Sequence, residues 1–332
     1  MFTELWRRVI SPNLIDFIEA TGPMAIMAAP TQTDEIAKRK EMLFALDHSV
    51  ALYEASKVQK LCRIGARIGY SGLLARLARK PRRKQARLFW GDDMTVVLPE
   101  NVSMSIYRYG FFEGDVSHML LETLHRGMTF YDIGAHFGYF TCLASELVGP
   151  QGHVHSFEPT PSTFEILGIN GRKRPNVQLN NAAVFSTNSQ LTFQDFGVRY
   201  SAFNSAVGSR LDETMERQAT AKSYQVEAVT VDEYARRTGN LPDVVKIDAE
   251  IAEYDVLMGM EQTLQESKPT VSIEVGDMGK DSASGGSARV VQFLQEHGYR
   301  AFEWLNGALR THIKRAGYEY GNLLFRHPDN SN

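Results

Sequence analysis

Two groups of residues have the types and spacing that chemistry on a bound small molecule requires. In the stretch YDIGAHFGYFT, an acid, Asp132, precedes two glycines, Gly134 and Gly138, that stand four residues apart. In the stretch VVKIDAE, at residues 244–250, a lysine alternates with two carboxylates. Alternating residues of a strand share one face, so these three charged side chains would lie together. Both groups therefore predict strand ends that border a ligand.

The glycine loop argues against a dinucleotide or a nucleoside triphosphate. A dinucleotide fingerprint anchored on Gly134 needs glycines where the chain has His136 and Tyr139, and no Gly-Lys-Ser/Thr of a P-loop follows. The carboxylate of Asp132 would repel a pyrophosphate, but it suits a ligand with an ammonium group and hydroxyls. S-adenosylmethionine has both and carries no phosphate, so the loop favours this cofactor.

A second acid stands where it can hold a ribose. Glu158 ends the next predicted strand, and a carboxylate at that place can accept hydrogen bonds from both ribose hydroxyls. Dinucleotide proteins use the same device, so Glu158 alone does not choose between the ligands. A nicotinamide oxidoreductase therefore stays open as an alternative.

The elements that position these groups follow from the pattern beyond residue 90. Short apolar strands alternate with helices, which predicts βαβ units and an α/β fold with a mostly parallel seven-stranded sheet. No helix separates the last two strands, so the last can pair antiparallel. One helix is expected over 251–266, and a helix opened by Pro161 follows the second strand. The predicted strands are MTFYDI, GHVHSFE, NVQLNNAAV, DVVKIDAE, PTVSIEV, GYRAFEWL and GNLLFR.

Residues 1–90 have another pattern, which predicts a helical extension in front of a catalytic domain at 91–332. Thr33, with Glu35 close behind, opens a stretch with apolar residues at helical spacing. The segment 57–87 is basic, with eleven Lys or Arg and no acid, although the whole chain has a net charge of −3. This segment is expected to be a solvated face, with peripheral contact to an anionic membrane as the alternative.

Composition limits the class of protein. A hydrophobic content of 43% and a charged content of 23% fit a globular protein, and two distant cysteines predict no disulfide framework or structural zinc site. No apolar run reaches the ~18 residues of a membrane helix. The basic segment has one aromatic residue, Tyr70, between Arg63 and Arg87, so no nucleic-acid partner is expected. We expect a cytoplasmic protein, with membrane association as the alternative and no indication of the oligomeric state.

From about Tyr107 to Phe325 the chain resembles the FkbM-type methyltransferases, which have the class I S-adenosylmethionine fold. Eight motifs follow one another in the family's order, and this order makes the resemblance specific. They are YRYGFFEGD, FYDIGAHFGYFT, GHVHSFEPTPSTFEIL, NNAAV, VTVDEY, VVKIDAEIAEYDVLMGM, KPTVSIEV, and FLQEHGYRAF with NLLF.

The resemblance implies an S-adenosylmethionine-dependent O-methyltransferase that acts on a hydroxyl of a sugar, glycan or specialised small metabolite. Two residues depart from the family pattern, His136 in place of asparagine and Ile251 in place of glycine. Isoleucine lacks the freedom of glycine and is expected to narrow the pocket, so a cofactor-binding protein without catalysis is the alternative. The residues expected to bind the cofactor are Glu113, Asp132, Gly134, Ala135, His136, Gly138, Glu158, Pro159, Asn181 and Ala182.

The predicted catalytic residues are Asp248, Lys246 and Glu250 of the fourth strand. Asp248 is expected near the methyl donor and the acceptor, and Lys246 is expected to hold or tune the carboxylates. A structural ion-pair network is the alternative, and a divalent metal on these ligands is compatible with the sequence without being required by it. Glu250 or Glu253 would position the acceptor, with Glu274 as a further candidate. The polar loop at 196–223 adds the predicted acceptor contacts Tyr200, Ser201 and Asn204.

Overall fold

A computed structural model of the chain describes residues 37–55, 81–195, 197–198, 222–277, 286–315, 317–318 and 320–330. The chain divides into two compact units, Met1–Lys40 and Glu41–Asn332. Residues 37–55 are helical (α1), in agreement with the helix predicted from Thr33. Of the basic segment at 57–87, residues 57–80 lie outside the described residues. No helix among the described residues has the length and apolar character to cross a bilayer.

A hairpin and two helices precede the glycine loop. Strands β1 (Arg82–Arg87) and β2 (Asp93–Leu98) pair antiparallel, and helices α2 (Asn101–Tyr109) and α3 (Gly114–Thr123) follow. The helical prediction for residues 82–87 is wrong, because β2 offers this stretch a pairing partner that its basic local pattern does not reveal. Only Ala86 of β1 is buried, so the strand carries its basic side chains on an exposed edge.

Five parallel strands form the half of the central sheet that carries the site. Their spatial order is β5-β4-β3-β9-β10, and helices connect strands that are successive in the chain. This confirms the predicted mostly parallel sheet. The strands are β3 (Thr129–Ile133), β4 (His153–Phe157), β5 (Val177–Asn180), β9 (Val244–Ile247) and β10 (Thr270–Val275), and the helices are α4 (Tyr139–Val148), α5 (Pro161–Gly171) and α6 (Val231–Thr238).

The other edge of the sheet is antiparallel. After α9 (Gly286–Glu296), strands β11 (Arg300–Leu305) and β12 (Ala308–Thr311) form a hairpin, and β13 (Gly321–Arg326) inserts between β10 and β11. The last strand is antiparallel to both neighbours, as predicted. The resulting order, five parallel strands followed by β13 and β11, is that of the class I methyltransferase fold.

A second, three-stranded sheet was not predicted. It contains β6 (Ala183–Val184), β7 (Ser189–Asp195) and β8 (Lys222–Val229), in the order β6-β8-β7. The stretch NVQLNNAAV was predicted as one strand, but it divides between β5 of the central sheet and β6 of this one. The period-2 alternation around Leu191 and Phe193 was the signal for β7.

The helix predicted over 251–266 is two short helices, α7 (Glu253–Met258) and α8 (Glu261–Glu266). The break occurs at Gly259, where a Cβ atom would lie 2.2 Å from the carbonyl oxygen of Phe185. A separate cap starts α8, since Asp232 accepts hydrogen bonds from the backbone N–H of Thr263 and Gln262 at 2.8 and 3.1 Å. Close packing against the second sheet therefore overrides the continuous helical pattern.

Candidate active site

A cavity of about 300 Å³ opens at the carboxyl ends of β3, β4 and β9. Open α/β sheets bind ligands at this edge, so the position agrees with the sequence analysis. Ten of the predicted site residues line the cavity: Glu113, Gly134, Ala135, His136, Glu158, Pro159, Ala182, Lys246, Asp248 and Glu250. Five described ones do not line it: Asp132, Gly138, Asn181, Glu253 and Glu274.

The glycine loop brings β3 and β9 into close contact. Gly134 has φ +76°, and a Cβ atom there would lie 1.8 Å from the carbonyl oxygen of Asp248. Gly138 has φ +89° and precedes α4, where a Cβ atom would lie 2.6 Å from Leu167. Only glycine fits both the conformation and the space at these positions. The two glycines thus shape the loop, although Gly138 itself packs behind the cavity wall.

His136 occupies a left-handed position in the same loop, with φ +50°. Asparagine and histidine are among the non-glycine residues most often found in this conformation, so His136 can replace the family's asparagine without a change in the backbone. Its backbone N–H donates to Glu158 Oε2 at 3.1 Å. Loss of hydration lowers the pKa of its imidazole, so the ring that faces the cavity is neutral at pH 7.

Glu158 is held by the backbone on both oxygens. Oε1 accepts from the N–H of Thr160 at 2.9 Å, and Oε2 accepts from His136. Burial raises the pKa of Glu158 to about 7, although these hydrogen bonds oppose the rise. The side chain of Thr160 also hydrogen-bonds this carboxylate. A carboxylate has about four acceptor positions, so it keeps capacity for a hydroxyl donor. Asn181 supports this residue from behind, because its side chain donates to the carbonyl oxygens of Glu158 and Pro159.

Lys246 joins two strands of the sheet through carboxylates. It is the register partner of Asp132 across β3 and β9, and its Nζ lies 3.9 Å from Asp132 Oδ1 and 3.0 Å from Asp248 Oδ2. Its ammonium also lies 5.2 Å from the centre of the Phe140 ring. Burial alone would lower the pKa of Lys246, but the carboxylates of Asp248, Asp132 and Glu113 raise it, so the lysine is charged. Asp248 is the partner that lines the cavity.

Asp132 lies behind the cavity wall and has no exposed surface. Its Oδ2 accepts a 2.6 Å hydrogen bond from Thr141 Oγ1, which also contacts Ser156 Oγ at 2.8 Å. Burial raises the pKa of Asp132, and Lys246 and Thr141 oppose the rise. Asp132 therefore does not line the cavity, as the predicted ligand contact requires, and it borders the cavity only through Lys246.

Residues 249–253 form a tight loop above the end of β9. Glu250 and Ile251 both have positive φ, at +50° and +83°. Glu253 stabilises the loop, because its Oε1 accepts from the N–H of Ala249 at 3.0 Å and of Ile251 at 3.3 Å. Ile251 thus adopts the conformation that the family's glycine would favour, and it is not among the residues that line the cavity. The narrowing expected from Ile251 does not occur through its side chain.

Glu113 approaches Lys246 from the other side. Burial raises the pKa of Glu113 well above its usual range, and repulsion by Asp248 adds to the rise while Lys246 opposes it. The hydroxyl of Tyr320 donates to Glu113 Oε1 at 3.5 Å. Withdrawal of this hydroxyl from water raises the pKa of Tyr320, and the nearby carboxylates, Glu274 first among them, raise it further, so the phenol stays protonated.

Comparison with known proteins decides the family. Residues 132–301, half of the chain, match the Methyltransferase FkbM domain. The chain belongs to the FkbM methyltransferase family. The resemblance stated from the motifs is thus confirmed, and the strand order gives the chain the class I fold.

One curated relative of this FkbM methyltransferase is the hexuronic acid methyltransferase AglP of Haloferax volcanii. The two are 28% identical over 156 residues, which cover 46% of this chain and 58% of the relative. The chain thus matches little more than half the length of that protein.

Two solved structures are also similar. The methyltransferase FkbM of Methylobacillus flagellatus has a TM-score of 0.39 and 11% identity, over 60% of this chain and 44% of that one. The fibrillarin of Aeropyrum pernix, which holds natively bound S-adenosyl-L-methionine, has a TM-score of 0.38 and 12% identity, over 74% of this chain and 97% of that one. Because both TM-scores are below 0.5, the fold assignment depends on the strand order and not on these likenesses.

The sequence did not indicate the aromatic and apolar wall of this FkbM cavity. The second sheet contributes Phe185, Leu191 and Phe193, and Met94, Val102 and Ile106 come from β2 and α2. Tyr320 comes from the segment before β13, far away in the chain. None of these residues belongs to a family motif. Only Leu191 and Phe193 had a local signal, the period-2 alternation of β7.

Three predicted acceptor contacts, Tyr200, Ser201 and Asn204, lie outside the described residues. Glu274, at the end of β10, is 6% exposed and acts on the cavity through its charge near Tyr320. Among the residues that the structure describes, no group of three or more His, Cys, Asp or Glu side chains has a metal-binding arrangement.

Proposed function

We propose that this chain transfers the methyl group of S-adenosylmethionine to a hydroxyl of a sugar, glycan or specialised small metabolite. The observation that carries the proposal is the Lys246–Asp248 pair. Its Nζ and Oδ2 atoms lie 3.0 Å apart at the end of β9, and Asp248 lines the cavity beside the glycine loop. A carboxylate in that place can take the proton of an acceptor hydroxyl.

The residues of the cavity fit S-adenosylmethionine. Glu158 has acceptor capacity left for a ribose hydroxyl, and Ala182 and Pro159 provide a small apolar wall next to it. Gly134 leaves room for a close approach to the backbone. The carboxylates of Glu113, Glu158, Asp248 and Glu250 suit a ligand with positive charge, and they would repel the phosphates of a nicotinamide dinucleotide.

Bound S-adenosylmethionine supplies a methyl group on a positively charged sulfur, which is already activated for displacement. Lys246 Nζ holds Oδ2 of Asp248 and fixes the carboxylate, which leaves Oδ1 for the acceptor. S-adenosylmethionine would supply the methyl group, and Asp248 Oδ1 would take the proton of the acceptor hydroxyl. Glu250 would orient the acceptor, and the cavity walls hold the reacting atoms in line.

A sugar acceptor is supported by the curated relative, which is named as a hexuronic acid methyltransferase. The aromatic side chains of the cavity support the same class, since rings such as Phe185 and Phe193 can pack against a sugar face. The alternative of a cofactor-binding protein without catalysis was suggested by Ile251. That residue keeps the left-handed backbone and does not line the cavity, so it gives this alternative no support.

Incubation with S-adenosylmethionine labelled in its methyl group tests the proposal. Neutral hexosides, hexuronic acids and small hydroxylated metabolites would serve as acceptors. We expect labelled product with the wild type and a loss of about a hundredfold or more in Asp248→Asn, with S-adenosylhomocysteine binding retained. Asp255→Asn removes a carboxylate of α7 that does not line the cavity and should keep full activity.

Two results would contradict the proposal in different ways. Cofactor binding without transfer to any acceptor would favour the binding protein. Full activity of Asp248→Asn would refute the role of this carboxylate while leaving the reaction in place. Contact of the basic segment 57–87 with an anionic membrane stays a prediction, and vesicle binding by the full chain and by a chain that lacks residues 1–90 would test it.

A further inference from the structure

More acidic than basic side chains line the cavity. Lys246 is the one lysine or arginine among the described residues that line it. Its ammonium lies 3.0 Å from Asp248 and 3.9 Å from Asp132, so two carboxylates already balance its charge. Burial and the charge of Asp248 raise the pKa of Glu113, so its ionised form is costly unless a further cation lies nearby. A ligand with positive charge at this end of the cavity would restore the balance.

Glu113 lines the cavity from a strained backbone position. This residue precedes α3 and has φ +40°. Residues other than glycine rarely adopt this left-handed backbone conformation. The Glu113 side chain makes no capping hydrogen bond to the first turn of α3. It lines the cavity instead. Strained residues of this kind are concentrated at functional sites, because the surrounding structure must hold them in place.

Tyr320 holds Glu113 from the opposite wall. Its hydroxyl lies 3.5 Å from Glu113 Oε1 and also hydrogen-bonds Glu274. Its backbone packs on Gly276, where a Cβ atom would lie 3.3 Å from the Cα of Tyr320. The segment is fixed by Asp277, whose Oδ2 accepts from the Tyr318 N–H at 2.8 Å and whose own N–H donates to the Tyr318 carbonyl at 2.9 Å. Backbone hydrogen bonds to Asp277 thus place Tyr320 beside Glu113.

From this arrangement we infer that Glu113, held by Tyr320, makes the site prefer the methyl donor over its demethylated product. The inference rests on the proposed function. The two molecules have the same adenosine, ammonium and carboxylate groups, and they differ only in a methyl group and the positive charge on sulfur. Because the reaction removes that charge, the carboxylate of Glu113 stabilises the donor and loses its partner after transfer. The product is thereby released more easily.

Binding measurements without any acceptor test this preference. Isothermal titration would compare S-adenosylmethionine, S-adenosylhomocysteine and sinefungin, which carries an amine in place of the sulfonium. Glu113→Gln keeps the size of the side chain and removes the charge. We expect Glu113→Gln to lower the affinity for S-adenosylmethionine and for sinefungin by about tenfold, and the affinity for S-adenosylhomocysteine by less than about threefold. A partly buried opposite charge a few ångströms away has an effect of that order.

The controls separate charge at the site from charge in general. Glu122→Gln removes an exposed carboxylate from the other end of α3 and should change none of the three affinities. Tyr320→Phe removes the hydroxyl that holds Glu113 and should reduce the preference by a smaller factor, about two to three. Tyr320→Phe leaves every carboxylate in place, so it still tests the preference if Glu113→Gln does not fold.

The outcomes distinguish the two proposals. An equal loss of donor and product affinity in Glu113→Gln would overturn the inference, because it would place the carboxylate on a group that both molecules share. Unchanged ratios in both variants would overturn it as well. Failure of the wild type to bind either molecule would instead refute the proposed function.

Discussion

The Glu158 carboxylate should make the stability of this protein depend on pH near neutrality. The side chain is 6% exposed, and burial raises its pKa from the usual 4.5 to about 7. The folded protein thus binds this proton more tightly than the unfolded chain does. The stabilisation is fully present below pH 4.5 and is lost as the pH rises through 7. Glutamine at position 158 cannot ionise, so Glu158→Gln removes this dependence.

The size of the effect follows from the pKa difference. A rise from 4.5 to about 7, at 1.36 kcal/mol per unit, corresponds to about 3 kcal/mol. The unfolding free energy of Glu158→Gln minus that of the wild type should therefore increase by about 3 kcal/mol between pH 4.5 and pH 8. The variant also places an amide donor next to the backbone N–H of Thr160 or His136, but this cost is independent of pH.

Urea unfolding followed by circular dichroism at five pH values between 4.5 and 8 measures this difference. Glu165→Gln, which removes an exposed carboxylate from α5, is the matched control and should run parallel to the wild type. Parallel curves for Glu158→Gln and the wild type would refute the reasoning, because they would mean that Glu158 is ionised in the folded protein without cost.

The same proton should couple to ligand binding. Ribose hydroxyls that donate to Glu158 favour its ionised form, so the affinity of the wild type for S-adenosylhomocysteine should fall about tenfold from pH 8 to pH 6. In Glu158→Gln the affinity should be lower and should lack this decrease. A wild-type affinity that does not change over this range, measured by isothermal titration, would place the ribose elsewhere.

Three further perturbations have defined outcomes. Ile251→Gly should raise the unfolding free energy by about 1 kcal/mol, because glycine accepts φ +83° without strain; a lower melting temperature would contradict this. Gly134→Ala should abolish S-adenosylhomocysteine binding, because its Cβ atom would meet the Asp248 carbonyl at 1.8 Å, whereas Gly239→Ala, also at positive φ but with open space, should keep it. Equal binding by both would refute the close approach. Lys246→Met should destabilise the protein by about 3–5 kcal/mol at pH 7, because it leaves the buried carboxylates that it joins without a cation, and by less at pH 4. A loss that urea unfolding finds equal at both pH values would show that charge is not the cause.

Local patterns predicted the central sheet well and its surroundings less well. Buried apolar stretches such as residues 129–133 identified the strands, since a buried strand has a recognisable length and composition. The pairing of β1 with β2 and the second sheet were missed, because strand pairing depends on a partner distant in the chain. The helix at 251–266 looked continuous, but the contact between Gly259 and Phe185 breaks it.

The site divides in the same way. The sequence by itself determined where the backbone needs glycine, at Gly134 and Gly138, and which strands end in a charged residue, because both are properties of a few neighbouring residues. Only the tertiary structure decided that Asp132 lies behind the wall while Glu113 and Tyr320 meet across the cavity. Register between strands and the packing of α3 set these positions. The charge balance around Lys246 is therefore a property of the folded chain and of no single motif.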